Sequence, residues 1–465
     1  MTPKLLLIRP LCAGDEPDFA EPLGLERLAG YLRAAGMDAV EVLDRRLYQR
    51  ERRLGLGGPS FWQDVAALCD GEPPDLVCLS LMTEADVADA LRVMSRMRAR
   101  YPQARFQAGG VYVTTQPERA AALLPRDTIL QRGEGEAALL ALAKGAPVPS
   151  VPLGPDDWAV AHRPQLLRYA RLGCAVNLQT SRGCPGSCTF CATPSLPGGL
   201  RRWAARRESL VADEMQGVAR RLEEAGLPPV FNFVDDHVGP LARLERLADE
   251  LDARDLRVAF SCEMRLAALI GQPRLRERLA RLRARGLTRL FVGVESLNPR
   301  TLARWRKPYD VAALPEVVGA LRAAGISLQT GYILWHAGQT LDGALEEARA
   351  LHELGLYTHQ ASVSRLIVFA GCAEAHDGAT AEGYQAMGPA EENFYQRFVA
   401  RTAGLRARWT QAALRLPYAA GCAALGVGEA DHAALTAELA GLNEASYHLL
   451  EEALRAALPH RSLGA

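Results

Sequence analysis

Three cysteines, Cys184, Cys188 and Cys191, lie within eight residues at C-x3-C-x2-C spacing, and Gly183 and Gly186 keep the loop around them open. Three thiolates can hold three irons of a 4Fe-4S cube and leave the fourth iron without a protein ligand. An iron with an open position can bind and reduce a small molecule, whereas clusters with four cysteine ligands usually only transfer electrons. The spacing therefore predicts a cluster that takes part in chemistry.

Other uses of three close cysteines are weaker hypotheses. Structural zinc takes four nitrogen or sulfur ligands, usually as spaced pairs, and the chain has no second pair at that spacing. A disulfide framework is not expected in a long chain without a secretory signal. The other cysteines are scattered, and a second cluster built from them stays open as an alternative: Cys12, Cys69, Cys78, Cys174, Cys262, Cys372 and Cys422.

The cysteine spacing, with Phe190 just before the last cysteine, resembles that of the radical S-adenosylmethionine (SAM) superfamily. The resemblance implies that the open iron chelates the amino and carboxylate groups of SAM. One electron from the cluster then cleaves SAM to methionine and a 5′-deoxyadenosyl radical, which abstracts hydrogen from a small-molecule substrate. The resemblance therefore also implies an electron donor or reductase partner.

Charge and hydropathy exclude other classes of partner. The chain has 465 residues, with 54 Lys and Arg against 54 Asp and Glu, and its formal net charge is zero. A nucleic-acid-binding protein would carry a basic excess, and no run approaches the roughly 18 apolar residues that a membrane helix needs. We therefore expect no nucleic-acid partner, no membrane association and a cytoplasmic location. The length predicts two or three domains, and a hydrophobic content of 49% is enough for sizeable cores.

Residues 1–143 alternate short apolar strands with helices. Strands are predicted at Lys4–Arg9, Ala39–Leu43, Leu76–Ser80, Arg105–Ala108 and Thr128–Leu130, and helices at Leu23–Ala35, Ser60–Leu68, Ala85–Arg100 and Pro117–Leu124. The alternation predicts a parallel sheet in a doubly wound, Rossmann-like α/β fold. Ligands of such sheets bind beyond the carboxyl ends of the strands, where glycine-bearing turns follow.

This half resembles the cobalamin-binding-type domain that precedes many radical SAM domains. The resemblance rests on Pro22-Leu23-Gly24-Leu25, on Pro74-Asp75-Leu76-Val77 leading to Ser80, on Gly109-Gly110-Val111-Tyr112 and on Gly133-Glu134-Gly135-Glu136. The Asp-x-His-x-x-Gly motif of base-off enzymes is absent, and Tyr112 stands where many relatives have histidine. We therefore expect the domain as a fold, and we do not favour cobalamin as its cofactor while leaving it open.

The rest of the chain predicts three further segments. Residues 144–170 hold five prolines and are expected to form a linker. Residues 171–384 match the partial (β/α)6 barrel of the radical SAM superfamily, in which active-site groups gather at the carboxyl ends of the strands. Residues 385–465 are expected to form a helical C-terminal cap. The barrel strands are predicted at Ala175–Thr180, Val230–Val234, Arg257–Cys262, Arg289–Val294, Ser327–Leu334 and Ser362–Phe369.

The resemblance also implies cofactor contacts. Phe190 is expected beside the adenine of SAM, with local packing as the alternative. Gly293-Val294-Glu295-Ser296 matches the family's fourth-strand Gly-x-Glu-Ser, which implies that Glu295 and Ser296 reach the ribose or methionine part of SAM. Arg265 lies where relatives carry a basic residue near the SAM carboxylate, with a surface ion pair as the alternative.

Four more residues are expected to serve catalysis. Asp235 and Asp236 end the second barrel strand, and since neighbouring strand residues point to opposite sides, at most one faces the pocket. A helix N-cap is the alternative use of these aspartates. Tyr332 on the fifth strand is a candidate contact to substrate or SAM. His336, in the loop after it, departs from the family's Pro-Gly-Glu-Thr and suggests a specialised substrate.

Three functions follow as hypotheses. The main one is 1,2-diol dehydration, the C3′ deoxygenation of an aminoglycoside pseudodisaccharide in antibiotic biosynthesis. The chain resembles the radical SAM diol dehydratases of that chemistry, and an acidic barrel mouth of Asp235, Asp236 and Glu295 suits a cationic aminosugar. The alternative is a cobalamin-dependent radical SAM C-methyltransferase. The third is a non-catalytic electron-transfer module that only houses the cluster.

Overall fold

The chain forms two compact α/β units, Met1–Cys174 and a second that begins at Ala175. The computed structural model describes residues 3–12, 19–148, 153–193, 203–307, 309–368, 372–376 and 384–458. Each unit is built on its own five-stranded sheet. No helix of the described chain is both long enough and apolar enough to span a lipid bilayer.

The first sheet has the strand order β2-β1-β3-β4-β5, and all its neighbouring strands are parallel. All five predicted strands and all four predicted helices of this unit are present, whereas α2, α5 and α7 were not predicted. The elements are β1 (Leu5–Arg9), α1 (Leu23–Ala34), β2 (Val40–Asp44), α2 (Arg45–Arg53), α3 (Phe61–Leu68), β3 (Leu76–Ser80), α4 (Val87–Arg100), β4 (Arg105–Gly109), α5 (Val111–Thr115), α6 (Pro117–Leu123), β5 (Ile129–Leu130) and α7 (Glu136–Lys144).

Alternate strand residues of the first sheet fill two cores. Leu6 and Ile8 pack into one apolar cluster, and Leu5 and Leu7 pack into another. A parallel sheet covered by helices on both faces needs strands that are apolar throughout, and these strands meet that need. The predicted doubly wound fold is therefore confirmed.

The segment predicted as a linker is held within the first unit. Helix α8 (Leu166–Arg171) buries Leu166 and Tyr169. The guanidinium of Arg163, which is fully buried, donates to Glu21 at 2.9 Å and to Glu26 at 3.1 Å. A buried guanidinium requires such carboxylate partners, so these contacts fix the segment to α1 and the residues before it.

The second sheet has the order β12-β11-β10-β9-β6, with all neighbouring strands parallel. Its strands follow one another in sequence order, as in the wall of an open barrel. The elements are β6 (Val176–Leu178), β7 (Ser181–Arg182), β8 (Ala204–Ala205), α9 (Glu208–Glu224), β9 (Val230–Phe233), α10 (Leu241–Ala253), β10 (Ala259–Arg265), α11 (Leu275–Ala284), β11 (Leu287–Glu295), α12 (Pro299–Arg304), α13 (Leu314–Ala323), β12 (Ser327–Tyr332) and α14 (Leu341–Glu353).

The prediction of a sixth barrel strand at Ser362–Phe369 is wrong. The chain instead forms helix α15 (His359–Val363), whose first turn is capped by the Thr358 hydroxyl accepting from the N–H of Ala361. After this helix Arg365 makes an isolated parallel bridge to Trp335, and Ile367 makes an isolated antiparallel bridge to Tyr384. Phe369 lies outside the described residues. The described strands therefore form an open barrel wall and not a closed barrel.

The C-terminal region is helical, as predicted, and its helices are α16 (Pro389–Arg401), α17 (Ala403–Ala424) and α18 (Glu429–Ala457). Helix α17 packs on the first residues of two barrel strands, because Cys422 contacts Val230 of β9 and Ala259 of β10. The contact is close enough to need glycine, since a Cβ on Gly421 would lie 2.3 Å from Val230 Cγ1. This helix therefore covers the amino ends of the strands.

Candidate functional site

The cysteine loop follows β6 at the carboxyl end of the sheet and begins at β7, which pairs antiparallel with β8. Gly183 then turns the chain with φ of +79°, a conformation that residues with side chains rarely adopt. Cys184, Cys188 and Cys191 are all free and half-buried. The loop therefore presents its thiols at the sheet edge where barrel active sites lie.

Asp235 anchors the entry to this loop. Its Oδ1 accepts the N–H groups of Thr180 at 2.7 Å and Ser181 at 2.8 Å. Arg243 reinforces the anchor by donating to the Thr180 hydroxyl at 2.9 Å. Burial raises the pKa of Asp235, and the hydrogen bonds oppose that rise. The expected catalytic role does not fit a side chain that is 1% exposed and engaged in this way.

Asp235 and Asp236 lie after β9, which ends at Phe233, and Asp236 is exposed whereas Asp235 is buried. The Asp236 side chain is open to solvent, yet protein surrounds it closely enough to raise the pKa of the carboxyl group by desolvation. Both observations hold for a group in a recess. The charge of Asp236 also acts on Cys184. Of the two aspartates, Asp236 is therefore the one near the cysteine loop with a free carboxylate.

Two cations flank the thiols. The guanidinium of Arg265 adjoins the loop, since a Cβ on Gly186 would lie 3.6 Å from Arg265 Cζ and 3.3 Å from Cys184 Sγ. Burial raises the pKa values of Cys184 and Cys188, while Arg265 opposes both shifts and Lys307 opposes that of Cys188. Among the described residues Arg265 makes no ion pair with a carboxylate, so the surface ion pair considered above is not what holds it.

The donor set fits a 4Fe-4S cluster. Within the described ranges no three His, Cys, Asp or Glu side chains converge as the ligands of a single ion would. A cluster does not need that convergence, because each cysteine binds a different iron. The N–H of Gly186 points at Cys184 Sγ from 3.4 Å, and hydrogen bonds to sulfur tune such clusters. Together with the flanking cations, the loop suits three thiolates.

Glu295 lies at an irregular strand end. It has φ of +68°, and the pairing of β11 with β12 shifts register between Gly293 and Glu295. Its carboxylate lies over two glycines, since a Cβ on Gly293 would be 2.4 Å from Oε1 and one on Gly331 would be 3.5 Å from Oε2. Lys307 Nζ pairs with Oε1 at 3.0 Å. No hydrogen bond within the described residues uses Oε2, which leaves that oxygen for a ligand.

Ser296 and Tyr332 bind a buried carboxylate, Glu347. Ser296 Oγ donates to Glu347 Oε2 at 2.9 Å, and the Tyr332 hydroxyl donates to the same oxygen. Gln339 donates to Oε1 at 2.9 Å. Burial and the Glu347 charge raise the pKa of Tyr332 well above its usual value. Ser296 is 0% exposed and Tyr332 is 4% exposed, so the expected contacts to SAM or substrate do not fit either residue.

An aromatic row supports the last cysteines. Phe190 meets the fully buried Trp305 edge-on, with 5.2 Å between ring centroids, and Trp305 meets His336 at 4.9 Å. His336 is 3% exposed, and burial lowers its pKa. Its expected role at the substrate therefore does not fit, whereas the place of Phe190 beside the adenine of SAM stays a prediction.

Sequence reasoning missed Lys307 and Glu347. Lys307 lies after α12 and reaches Glu295 across the strand end, and Glu347 lies in the middle of α14. Neither follows a strand, so the rule that site residues sit at strand ends does not find them. A weak signal exists for Lys307, because it is one of only three lysines in a chain rich in arginine.

The carboxyl edge of the first sheet is open around Gly109-Gly110. Gly110 has φ of +101°, and a Cβ there would lie 2.4 Å from the Leu81 carbonyl oxygen, so the turn requires glycine. On either side Met82 is 47% exposed and Val111 is 44% exposed. Tyr112 turns inward and donates to Glu84 at 3.2 Å. Apolar side chains left open beside a glycine turn fit a large ligand with an apolar face.

This edge has no histidine to bind a metal. The only histidine among residues 1–174 is His162, which lies after the sheet and α7. A cobalamin held at Gly109-Gly110 would therefore take no axial histidine from β1–β5 or the turns that follow them. The residues present fit the corrin's apolar bulk and do not offer a cobalt ligand of the Asp-x-His-x-x-Gly kind.

Two family models match the chain. The model of the Radical SAM superfamily matches residues 178–356, and that of the B12 binding domain matches residues 17–143. The first range covers the cysteine loop and β9–β12, and the second covers most of the first unit.

Curated relatives are methylases. A hopanoid C-3 methylase from Methylococcus capsulatus is 26% identical over 346 residues, which is 67% of this chain and 61% of the relative. A bacteriochlorophyllide d C-12(1)-methyltransferase from Chlorobaculum tepidum is 28% identical over 191 residues, 40% of this chain and 39% of the relative. The matches span less than two thirds of the length of each relative.

Solved structures share the fold. The cobalamin-dependent SAM radical enzyme OxsB, with aqua-cobalamin bound, superposes with a TM-score of 0.76 at 16% identity, covering 96% of this chain and 72% of that one. The radical SAM methyltransferase TsrM from Kitasatospora setae, with cobalamin and a [4Fe-4S] cluster bound, gives 0.63 at 19% identity, covering 84% and 82%. At these identities the likeness concerns the fold.

Proposed function

This chain belongs to the radical SAM superfamily and carries a B12-binding domain ahead of its radical SAM domain, and from that premise we propose that it is a cobalamin-dependent radical SAM methyltransferase. The proposed acceptor is a carbon atom of a small molecule. The observation that carries the proposal is the pairing of a three-cysteine loop with a B12-binding domain in one chain. The methylases among the curated relatives support the same chemistry.

The cofactors supply the reactive groups: SAM on the cluster supplies a carbon radical, and cobalamin supplies a methyl group. The chain's own part is to hold them. Cys184, Cys188 and Cys191 would bind three irons, and Arg265 would face the carboxylate of SAM. Glu295 Oε2 would accept from a ribose hydroxyl, while Lys307 pairs with Oε1 and holds the carboxylate in place.

The first domain would hold cobalamin at the Gly109-Gly110 turn. This reverses our expectation from sequence, which did not favour cobalamin. Tyr112 in place of histidine is no obstacle, because its hydroxyl bonds to Glu84 within the unit. The exposed Met82 and Val111 offer apolar contact to the corrin.

Diol dehydration of an aminosugar, our main hypothesis from sequence, loses its support. The acidic mouth proposed for it consisted of Asp235, Asp236 and Glu295. Asp235 is committed to the cysteine loop and Glu295 to Lys307, so only Asp236 keeps a free carboxylate. The curated relatives are methylases and not dehydratases.

The test is reconstitution of the purified chain under anaerobic conditions with iron, sulfide and hydroxocobalamin. After desalting, metal analysis gives iron and cobalt per chain, and the visible spectrum identifies the cofactors. We expect about four irons, as one cluster requires, and near-stoichiometric cobalt. Four irons with cobalt near zero would overturn the cobalamin-dependent proposal and leave the first domain as a scaffold.

A matched pair of variants localises the cobalamin. Met82→Glu places a charge on the apolar edge beside Gly109-Gly110, and it should lower cobalt per chain several-fold while iron stays unchanged. Leu56→Glu is the control, since Leu56 is 51% exposed and follows α2 away from that edge. Equal cobalt in both variants would contradict the proposed position. An added one-electron donor, such as a reduced flavoprotein, is then needed for turnover.

A further inference from the structure

The open side of the second sheet is polar across neighbouring strands. Asn232 of β9 donates to Asn177 Oδ1 of β6 at 3.2 Å, and Ser261 of β10 donates to Asn232 Oδ1 at 2.8 Å. The three side chains therefore lie on one face of the sheet, which we call the inner face. A barrel filled by an apolar core would have apolar side chains at these three positions.

The inner face also carries an open carboxylate on the central strand. Glu263 lies two residues beyond Ser261 on β10, so strand alternation puts it on the same face. Its neighbours Cys262 and Met264 are each 2% exposed, whereas Glu263 is open to solvent. A side chain in the middle of a five-stranded sheet is open only where no other element covers it. The inner face is therefore a recess.

A guanidinium shares the recess. Arg289 of β11 is in register with Ser261, and it donates to the side chain of Gln329 on β12. Its Nη2 makes no hydrogen bond among the described residues, and the side chain is half-buried. Arg289 lowers the pKa of Glu263 and Glu263 raises that of Arg289, but the two form no ion pair in the part of the chain that is described. The recess thus holds an open acceptor and an open donor.

The cysteine loop adjoins the next level of the same face. Arg265 lies two residues beyond Glu263 and is in register with Gly293, which is in register with Gly331. The glycines leave room at this level for the Glu295 carboxylate and the Phe291 ring, and Arg265 is the group beside Cys184. On this face, Glu263 lies one step of two residues closer to the amino ends of the strands than Arg265. Arg289, which is in register with Ser261, lies two such steps closer.

Desolvation agrees with a recess in which protein limits the hydration of the side chains. Burial raises the pKa of Glu263 to about 7, with Asp236 and Asp235 adding to the rise and Arg289 opposing it. Burial also lowers the pKa of Arg289. Charged groups held in this way are costly unless a ligand satisfies them.

We infer that the substrate of this enzyme is a polar, water-soluble molecule that places a hydroxyl or amino group on Glu263 and a hydrogen-bond acceptor on Arg289. The inference rests on the proposed methyl transfer and names its substrate class. A hydrocarbon skeleton such as that of the hopanoids would leave both groups unpaired, and a site built to hydrogen-bond its substrate rejects a partner lacking those groups.

The experiment uses the full holoenzyme, which contains the cluster and cobalamin. It is incubated with a reductant and with SAM whose methyl group is CD3. Separate reactions receive the aqueous and the chloroform-soluble extract of the source cells, and mass spectrometry finds products that gained CD3. We expect labelled product from the aqueous extract. Label in the chloroform-soluble extract alone would overturn the inference but leave methyl transfer standing. Label in neither would overturn both.

Two variants assign the label to the recess. Glu263→Gln and Arg289→Gln should each lower labelled aqueous product by about tenfold or more, the effect of losing a hydrogen bond to a charged group. Raising the extract concentration should restore part of the product, and iron per chain should stay at the wild-type value. The control is Glu316→Gln, on the exposed side of α13. Wild-type labelling in both recess variants would overturn the inference.

Discussion

Lys307 and Glu295 form an ion pair, with 3.0 Å between Nζ and Oε1, and the charge of Lys307 also acts on the thiol of Cys188. One lysine thus interacts electrostatically with both a carboxylate and a proposed cluster ligand. The pair is largely shielded from water, since the Lys307 side chain is 10% exposed and that of Glu295 is 14% exposed.

Lys307→Met should keep the cluster but slow SAM cleavage. The variant leaves Glu295 shielded and unpaired next to anionic thiolates, which disfavours its ionised form. We expect wild-type iron per chain and about a tenfold lower rate of 5′-deoxyadenosine release, measured by chromatography. Lys144→Met, at an exposed lysine of the first unit, is the control. A wild-type rate in Lys307→Met would show that the ion pair is dispensable.

Gly293→Ala should displace Glu295. The new Cβ would lie 2.4 Å from Glu295 Oε1 and 3.1 Å from Lys307 Nζ, so the ion pair must move. We expect a loss of about 1–3 kcal/mol in stability, typical of overpacking, and weaker SAM binding in a calorimetric titration. Gly319→Ala in α13 meets no atom within 4 Å and should be neutral or stabilising. Equal SAM affinity in the two variants would contradict the role given to Gly293.

Replacing any one of Cys184, Cys188 and Cys191 with alanine should abolish the reconstituted cluster. Each cysteine binds its own iron in the proposed site, so two ligands cannot hold the cube in place. Iron per chain and the visible absorption of the cluster are the measurements. Cys69→Ala, in the core of the first unit, should retain full iron. Retained iron in a loop variant would instead favour a ligand from elsewhere in the chain.

Tyr332→Phe should lower stability without altering the chemistry. Removing the hydroxyl takes one donor from the buried Glu347 carboxylate, which keeps Ser296, Gln339 and the N–H of Leu297 as donors. We expect a loss of about 1–3 kcal/mol, seen as a lower Tm. The rate of 5′-deoxyadenosine release per folded chain should be unchanged. A large fall in that rate at normal Tm would restore Tyr332 as a catalytic residue.

Glu263 should make stability depend on pH. Its pKa is raised from 4.5 to about 7, so between those values the folded chain binds more protons than the unfolded chain. Stability from this group is therefore fully present below about pH 4.5 and is lost as the pH rises to about 7. The Tm of the wild type should fall relative to that of Glu263→Gln over this range, with Glu316→Gln for comparison. A constant difference would mean that Glu263 is fully hydrated.

Much of this fold is visible in the sequence because parallel strands are short, apolar and bounded by turns. Leu76–Ser80 is predicted and observed with the same ends, and the cysteine loop emerges after a strand as expected. The sixth strand failed because Thr358, a good helix cap, precedes an apolar run that suits either a helix or a strand.

The candidate site was less predictable because its side chains are fixed by long-range partners. Ser296 and Tyr332 look like pocket residues until Glu347, 15 residues beyond Tyr332, is found to bind both. Glu295 reaches its position only through a register shift and a left-handed backbone, and neither can be derived from a local pattern. Glu263 was passed over although the strand predicted at Arg257–Cys262 ends just before it, and the structure extends that strand to Arg265.

The close contact between Gly421 and Val230 limits where this chain can be joined to segments of its relatives. The helix that contains Gly421 covers the amino ends of β9 and β10, so these ends are not exposed to solvent. A chimaera that takes the barrel sheet from this chain and its last helices from another would place a foreign side chain where only hydrogen fits. Chimaeras should therefore keep Ala175 to Ala424 as one inherited block and place the crossover after it.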